Sequence, residues 1–281
     1  MKTGFYPGCS LNGTSPEYAQ STLALSKAFG ITPVEISDWS CCGATAAHNL
    51  NHELAVALPA RVLALAEQQG FSQILVPCAA CYNRLSVTQH ALNGSEEQRN
   101  ALAKTLQMPL SGKLRILNVM QFIEEFIAEK IAEKIVTPFA HKVACYYGCL
   151  LVRPHSVLQF DRPEDPQSMD ALMAKIGATP ISWGYKTECC GAGFSISRTD
   201  VVAKLSGKIV KDATERGAEA IIVACPMCQS NLDMRRPHID SYLKMKTSIP
   251  VIYITQAIGL AVGISRKELG LEKLFVPAKN F

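Results

Sequence analysis

The sequence predicts an α/β protein made of two similar halves, each a small, mostly parallel sheet flanked by helices. Two observations carry this. Short apolar runs of four or five residues alternate with stretches of helical periodicity, the pattern of parallel strands joined by crossover helices. In addition, ten of the eleven cysteines form one pattern written twice. The first copy has Cys9, Cys41-Cys42-Gly43 and Cys78-Ala-Ala-Cys81, with thirty-one residues between Cys9 and Cys41 and thirty-five between Cys42 and Cys78. The second has Cys149, Cys189-Cys190-Gly191 and Cys225-Pro-Met-Cys228, with intervals of thirty-nine and thirty-four.

At 281 residues the chain fits two domains of ordinary size, predicted here as 1–137 and 138–281 with a linker over Val136 to Phe139. Hydrophobic content of 48% with 19% charged residues is globular composition and excludes disorder. The net charge of +4 is dispersed; its densest basic run, Arg235-Arg236 near His238, is too short for a nucleic-acid footprint, so no nucleic-acid partner is expected. The opening MKTGFYPGCS lacks the apolar core of a signal peptide, which predicts a cytoplasmic protein. In a reducing compartment eleven cysteines point to metal ligands or redox groups rather than structural disulfides. The apolar run Ile249 to Ile264 is too short to span a bilayer and carries Thr255 and Gln256 near its middle, so it reads as a buried strand and helix.

The first half opens with a strand from Thr3 to Tyr6, a turn at Pro7-Gly8-Cys9, and a helix from Pro16 to Phe29 closed by Gly30. Val34 to Ile36 is a brief strand leading to Trp39 and the paired cysteines. From Asn49 to Gln69, Leu54, Leu58, Val62 and Ala66 share one helical face, Gly70 is the stop, and Pro59 is expected to kink or restart the helix. Gln73 to Val76 is a strand that delivers Cys78 at its end, ahead of a helix through Arg84 and Leu85. Glu96 to Gly112 reads as helix and surface loop, Arg115 to Val119 as strand, Gln121 to Lys134 as helix.

The second half repeats this order: a strand from Lys142 to Tyr146, a helix from Ser168 to Ile176, a strand from Thr179 to Trp183, a helix with Val201, Leu205, Ile209 and Ala213 on one stripe, and a strand from Ala220 to Val223. Pro250 to Ile254 is the last strand. Thr255-Gln256-Ala257-Ile258 after it matches Met120-Gln121-Phe122-Ile123, which carries the repeat beyond the cysteines. Every cysteine group is thereby expected beyond the carboxyl end of a strand, where loops of open parallel sheets gather sites.

Thiolates suit zinc, copper(I) and iron–sulfur clusters. Structural zinc draws its ligands from two close pairs, whereas here each half offers three widely separated groups, and adjacent cysteines poorly serve one small tetrahedral ion. The C-x2-C-x2-C-x3-C-P run of ordinary cubane clusters is absent. Thioredoxin-like chemistry at the two C-x-x-C pairs would leave the double cysteines unexplained.

With Cys225-Pro-Met-Cys228 followed by Gln229 and Asn231-Leu232-Asp233, the doubled C…CCG…CxxC pattern resembles the heterodisulfide reductase B-subunit family, the cysteine-rich CCG-domain proteins, over essentially the whole chain. The resemblance implies two CCG domains related by a pseudo-twofold axis, and two noncubane 4Fe-4S clusters. Cys9, Cys41, Cys42, Cys78 and Cys81 would hold one, and Cys149, Cys189, Cys190, Cys225 and Cys228 the other. It further implies sulfur-centred oxidoreductase chemistry on a disulfide or thiol substrate, with electrons exchanged through a cubane 4Fe-4S partner of the family's C type and a flavin partner of its A type. Other family members belong to succinate or fumarate reductase complexes and pass electrons to or from quinone, which would make membrane contact indirect.

Further residues are singled out by position. Cys145 aligns with Phe5 and reads as a small buried strand residue. His48 follows Cys41 by seven residues as a candidate proton donor. Arg84, His141, Lys142 and Arg198 are candidate holders of an anionic group or else surface charges. Tyr6, Tyr146 and Tyr147 read as packing beside Cys9 and Cys149, and Gly43 and Gly191 as points of tight turning.

Overall fold

The computed structural model describes residues 2–44 and 47–281; the side chain of His48 also lies outside the described set, so its candidate role stays untouched by the structure. The first half runs β1 (Thr3–Phe5), α1 (Gly8–Asn12), α2 (Pro16–Ala28), β2 (Val34–Glu35), α3 (Ala47–Leu50), α4 (His52–Gln68), β3 (Gln73–Leu75), α5 (Ala79–Asn93), α6 (Glu96–Leu106), β4 (Arg115–Leu117), α7 (Val119–Phe126) and α8 (Ile131–Lys134). The second runs β5 (Lys142–Tyr146), α9 (His155–Leu158), α10 (Ser168–Lys175), β6 (Thr179–Pro180), α11 (Thr199–Glu215), β7 (Ala220–Val223), α12 (Pro226–Asp233), α13 (Arg236–Leu243), β8 (Val251–Tyr253) and α14 (Ile254–Ala261).

Each half folds into a four-stranded, all-parallel sheet with the same strand order, β2-β1-β3-β4 and β6-β5-β7-β8. The central strands are buried on both faces, as parallel strands under helices must be, and Val143, Ala144, Ile221, Ile222 and Val251 are fully inside. One apolar core runs from Phe5 to Ala278 through both sheets.

The halves exchange contacts reciprocally. Helix α14 packs on α2 across the divide, and α7 packs on α10; α1 lies against α12, and α5 against α9. Ser21 on α2 shares a 2.8 Å hydrogen bond with Thr255 on α14. The match of Gln121 with Gln256 is a structural one: Gln121 Oε1 accepts the Asn118 N–H at 3.1 Å, and Gln256 Oε1 accepts the Tyr253 N–H at 3.0 Å, each closing the first turn of the helix after the last strand.

Some expectations are corrected. Pro59 does not restart its helix, which runs unbroken from His52 to Gln68. A proline in a helix interior costs about 3 kcal/mol, but Ala60 and the run Val62 to Ala66 are buried beside it, and each large apolar side chain in such a run returns about 1.5–3 kcal/mol. The restart falls instead at Asn51, whose Oδ1 caps the Leu54 N–H at 2.9 Å. The expected stripe on α4 fails at its start, because Leu54 is 49% exposed. On α11 Ile209 and Ala213 are buried as expected, but in the first two turns Val202 and Ser206 lie inside rather than Val201 and Leu205. The helix expected over Gln121 to Lys134 divides into α7 and α8, and Pro7-Gly8-Cys9 enters a short helix instead of a simple turn. The strands expected to reach Ile36 and Trp183 stop at Glu35 and Pro180.

The basic run Arg235-Arg236 is not a surface feature. Arg236 is buried, and its guanidinium donates to the carbonyls of Leu232 and Ile249 at 2.9 Å each. Beside it, Asp233 is also buried and fastens the C-terminal residues by accepting the N–H groups of Phe275 at 2.7 Å and Val276 at 3.0 Å. Removing that acceptor strands two backbone donors, at about 1–3 kcal/mol each. Asp233→Ala is therefore expected to lower stability by about 2–6 kcal/mol and to expose the residues after Leu274 to limited proteolysis. An unchanged thermal midpoint would contradict this account of the C-terminal segment.

Candidate functional site

The strands β1, β2 and β3 all end on the same side of the first sheet, and the loops leaving them carry Cys9, Cys41-Cys42 and Cys78. In the second sheet β5, β6 and β7 carry Cys149, Cys189-Cys190 and Cys225 in the same way. The C-x-x-C pairs sit at helix starts: Cys78 is the N-cap of α5 and Cys225 the N-cap of α12, so Cys81 and Cys228 fall in the first turn. The four free N–H groups of such a turn favour negative charge on sulfur.

The thiols meet in pairs. Cys41 Sγ lies 3.8 Å from Cys9 Sγ and Cys42 Sγ 3.3 Å from Cys81 Sγ; in the second half Cys190 Sγ lies 3.6 Å from Cys228 Sγ. Cys149 and Cys189 occupy the matching positions of the second half and influence each other's titration, as do Cys78 of the first half and Cys225 of the second. Among the described residues no three His, Cys, Asp or Glu side chains converge on a single-ion position. The ten cysteines of the doubled pattern are thus gathered as two groups of five, one at each sheet edge, and Cys145 is left out. Cys145 is fully buried in β5, and its carbonyl accepts the Trp183 indole N–H at 3.1 Å.

Burial differs within each group. Cys9, Cys41 and Cys189 are exposed and Cys149 is half-buried, while Cys42, Cys78, Cys81, Cys190, Cys225 and Cys228 are buried. Negative charge settles unevenly as a result. Hydrogen bonds from Cys42 and Cys9 hold the Cys41 thiol down at about 2, and the bond from Cys149 brings Cys189 down to about 6. Their donors Cys9 and Cys149 are pushed up correspondingly. Cys225 is lowered by Cys228 and Cys78, while Cys78 is raised, first by the bond with Cys225. The Gly43 N–H approaches Cys41 Sγ at 3.4 Å and the Gly191 N–H approaches Cys189 Sγ at 3.3 Å, so both glycines, each with positive φ, aim a backbone donor at sulfur. The Asn231 carboxamide adds a contact to Cys190 Sγ at 3.7 Å.

The tyrosines pin the loops that carry the thiols. Tyr6 OH donates to the Ser40 carbonyl at 2.8 Å, just before Cys41, and Tyr146 OH donates to the Glu188 carbonyl at 2.6 Å, just before Cys189. Tyr147 works elsewhere: its hydroxyl donates to Asp170 at 2.7 Å and accepts the Met169 N–H at 2.7 Å, fixing the start of α10. Across the divide, Asn83 on α5 donates to the carbonyl of Arg153 at 2.6 Å, holding the turn that follows Cys149. Asn83 gave no signal in the sequence beyond its place two residues after Cys81. Of the candidate anion holders, Arg198 is paired with Asp200 and His141 with Glu219 at the surface. Lys142 is exposed and Arg84 half-buried, away from the described thiol contacts.

Residues 3–86 and 143–233 match the family model described as a cysteine-rich domain, CCG. The chain belongs to the CCG cysteine-rich family. Each matched stretch contains one whole group of five cysteines and lies within one structural half. Relatives align along nearly the full length. The 8-methylmenaquinol:fumarate reductase membrane anchor subunit of Wolinella succinogenes is 30% identical over 98% of this chain and 96% of its own. The B subunit of the ferredoxin/F420H2-dependent CoB-CoM heterodisulfide reductase of Methanosarcina acetivorans is 29% identical over 97% of this chain and 93% of its own. A protein of Archaeoglobus profundus described as like the B subunit of heterodisulfide reductase is 28% identical over 96% of this chain and 93% of its own. A crystal structure of a hypothetical Helicobacter pylori protein shares the fold, with a TM-score of 0.83 and 14% identity; this chain spans about half of it, 53%. Among the described residues no helix is long and apolar enough to cross a membrane.

Gly8 and Gly148 leave no room for a side chain. Each has positive φ, and a Cβ at either would stand 3.0 Å from the sulfur of Cys81 or Cys228. Gly30 also has positive φ but faces open space. Alanine at Gly30 is expected to cost about 1 kcal/mol of backbone strain, and alanine at Gly8 or Gly148 measurably more. Equal losses of chemical-denaturation stability would show that the sulfurs do not press on these glycines.

Proposed function

We propose that the chain is the iron–sulfur oxidoreductase component of a heterodisulfide-reductase-like complex, acting on a disulfide or thiol. The observation that carries the reading is the gathering of five thiols at the carboxyl end of each sheet, with Cys9 against Cys41, Cys42 against Cys81 and Cys190 against Cys228. The donor set fits an iron–sulfur group: all donors are soft sulfur, and backbone N–H groups at Gly43 and Gly191 supply the hydrogen bonds to sulfur that tune such centres.

In this reading Cys9, Cys41, Cys42, Cys78 and Cys81 hold one noncubane 4Fe-4S cluster, and Cys149, Cys189, Cys190, Cys225 and Cys228 hold a second. Bound clusters supply electrons to, or take them from, sulfur of the substrate. The protein's own contribution is positional. Tyr6 and Tyr146 fix the double-cysteine loops, Asn83 fixes the Cys149 turn from the opposite half, and α5 and α12 hold the C-x-x-C sulfurs at their N-cap and in their first turn. The exposed Cys9, Cys41 and Cys189 mark the side from which a substrate or partner reaches the sulfurs. Electrons exchange with a cubane-cluster partner of the family's C type and a flavin partner of its A type, and the complex works in the cytoplasm.

A second reading is favoured by the 30% identity to the fumarate reductase anchor subunit: electron transfer to or from quinone in a succinate or fumarate reductase-type complex, with membrane contact through other subunits. Both readings require iron. Anaerobically purified protein is expected to hold about four irons per group with matching acid-labile sulfide, and stoichiometric zinc without sulfide would overturn both. Cys42→Ser or Cys190→Ser is expected to alter one cluster's paramagnetic resonance signal and spare the other. A disulfide that perturbs the oxidised signal supports the first reading; turnover with quinone analogues alone supports the second.

A further inference from the structure

The internal repeat has one large inequality. In the second half, residues after α14 return across the molecule and fill the groove bounded by α12, α14 and the opposite half's α2. Gln256 Nε2 donates to the Leu269 carbonyl at 3.0 Å, Asp233 takes the N–H groups of Phe275 and Val276, and Leu269 packs against Gly259. Gln20 on α2 donates to the Lys267 carbonyl at 2.7 Å from the far wall. Leu269, Leu271, Leu274, Val276 and Ala278 of this segment are all buried.

The first half has the same groove, and among the described residues no segment fills it. Counting from Cys78 and Cys225, Ser86 occupies the place of Asp233 and Tyr82 that of Gln229; Gln121 occupies the place of Gln256. Tyr82, Ser86 and Gln121 line a cavity of about 340 Å³, and Gln121 also lines two neighbouring recesses, of about 530 and 560 Å³. The far wall is α10 with Gln167, Ser168 and Ala171, the counterpart of α2 on the other side. Among the described residues, Gln89 Oε1 and Ser168 Oγ, both on lining residues, find no hydrogen-bond partner.

We propose that this open groove, between α5 and α7 of the first half and α10 of the second, receives an extended segment of a partner polypeptide, as the matching groove receives this chain's own C-terminal segment. Gln121 Nε2 takes the place of Gln256 Nε2 as donor to a backbone carbonyl, and Ser86 Oγ takes the place of the Asp233 carboxylate as acceptor for backbone N–H groups, the main-chain recognition by which extended peptides are held. The occupant carries leucine- or valine-type side chains where the C-terminal segment does. It differs at one point: Glu124 stands where Gly259 accepts Leu269, so a basic residue belongs there in place of leucine.

The inference rests on the internal repeat and not on the iron–sulfur reading, and its test reads assembly rather than redox activity. A photo-crosslinking amino acid is placed at His90 or Ala171, both exposed groove residues, in the full chain expressed in its native host. The crosslinked complex is purified and mapped by mass spectrometry, with exposed Lys208 on α11 as control position. Both groove positions are expected to crosslink to one contiguous segment of the same co-purifying polypeptide and the control is not. Ala171→Trp or His90→Trp is expected to reduce recovery of that polypeptide at least tenfold at an unchanged thermal midpoint. Crosslinks to a second copy of this chain, crosslinks scattered over several sequences, or full recovery with both tryptophan variants would each overturn the proposal.

Discussion

The constraint on which the structure depends is the disposal of buried sulfur. Six of the ten patterned cysteines are buried, and a thiol that carries negative charge inside a protein needs donors around it. The fold supplies them by ending strands and starting helices at the same edge. The N-cap positions of α5 and α12 put Cys78 and Cys225 where unpaired N–H groups are concentrated, and the loops after β2 and β6 turn on Gly43 and Gly191 to aim further N–H groups at Cys41 and Cys189. A single sheet edge would leave these groups open on one side. The second half closes it, because each C-x-x-C helix packs on the segment that follows the other half's first cysteine.

That reciprocity explains which residues the repeat preserves. Tyr6 and Tyr146 make the same bond to the residue before each double cysteine, Gly8 and Gly148 stand equally close to sulfur, and Gln121 and Gln256 close the same helix turn. These positions touch the sulfur edge or its supporting turns. Beside these shared positions the halves have gone separate ways. Tyr18 and Tyr253 stack across the divide with ring centroids 4.0 Å apart. On the other side the corresponding space is organised by polar groups, where buried Lys186 pairs with Asp170 and Tyr147 holds the same carboxylate.

The sulfur edge was legible because ligand-type residues announce themselves by identity and spacing, independent of what packs around them. Strand-and-helix alternation was legible for the same reason: Lys142 to Tyr146 and Ala220 to Val223 are found where apolar runs and flanking turns predict them. The misreadings occur where packing decides. Nothing in the order Arg235-Arg236 says that one guanidinium will be drawn inward to satisfy the carbonyls of Leu232 and Ile249. Leu54 and Leu58 have the right period for a core face, but periodicity does not say how far a helix extends past the layer it covers. Asn83 was silent because its partners, Leu150 and Arg153, are almost seventy residues away and offer only backbone carbonyls.

The same reasoning bears on the C-terminal segment, which carries no cysteine and no motif. Its hold on the second half consists of backbone groups bonded to Gln256 and Asp233, of Leu269 set against Gly259, and of buried apolar side chains, so its path is fixed largely through the main chain. A groove that recognises main chain in this way places few demands on the identity of what fills it. Duplication of the half therefore duplicated a receptor for extended chain along with the sulfur site. The chain has one tail to offer two such receptors, and the tail lies in the half where Gly259 makes room for Leu269. Glu124 closes that option in the first half, since a leucine laid against it would desolvate a carboxylate without pairing it.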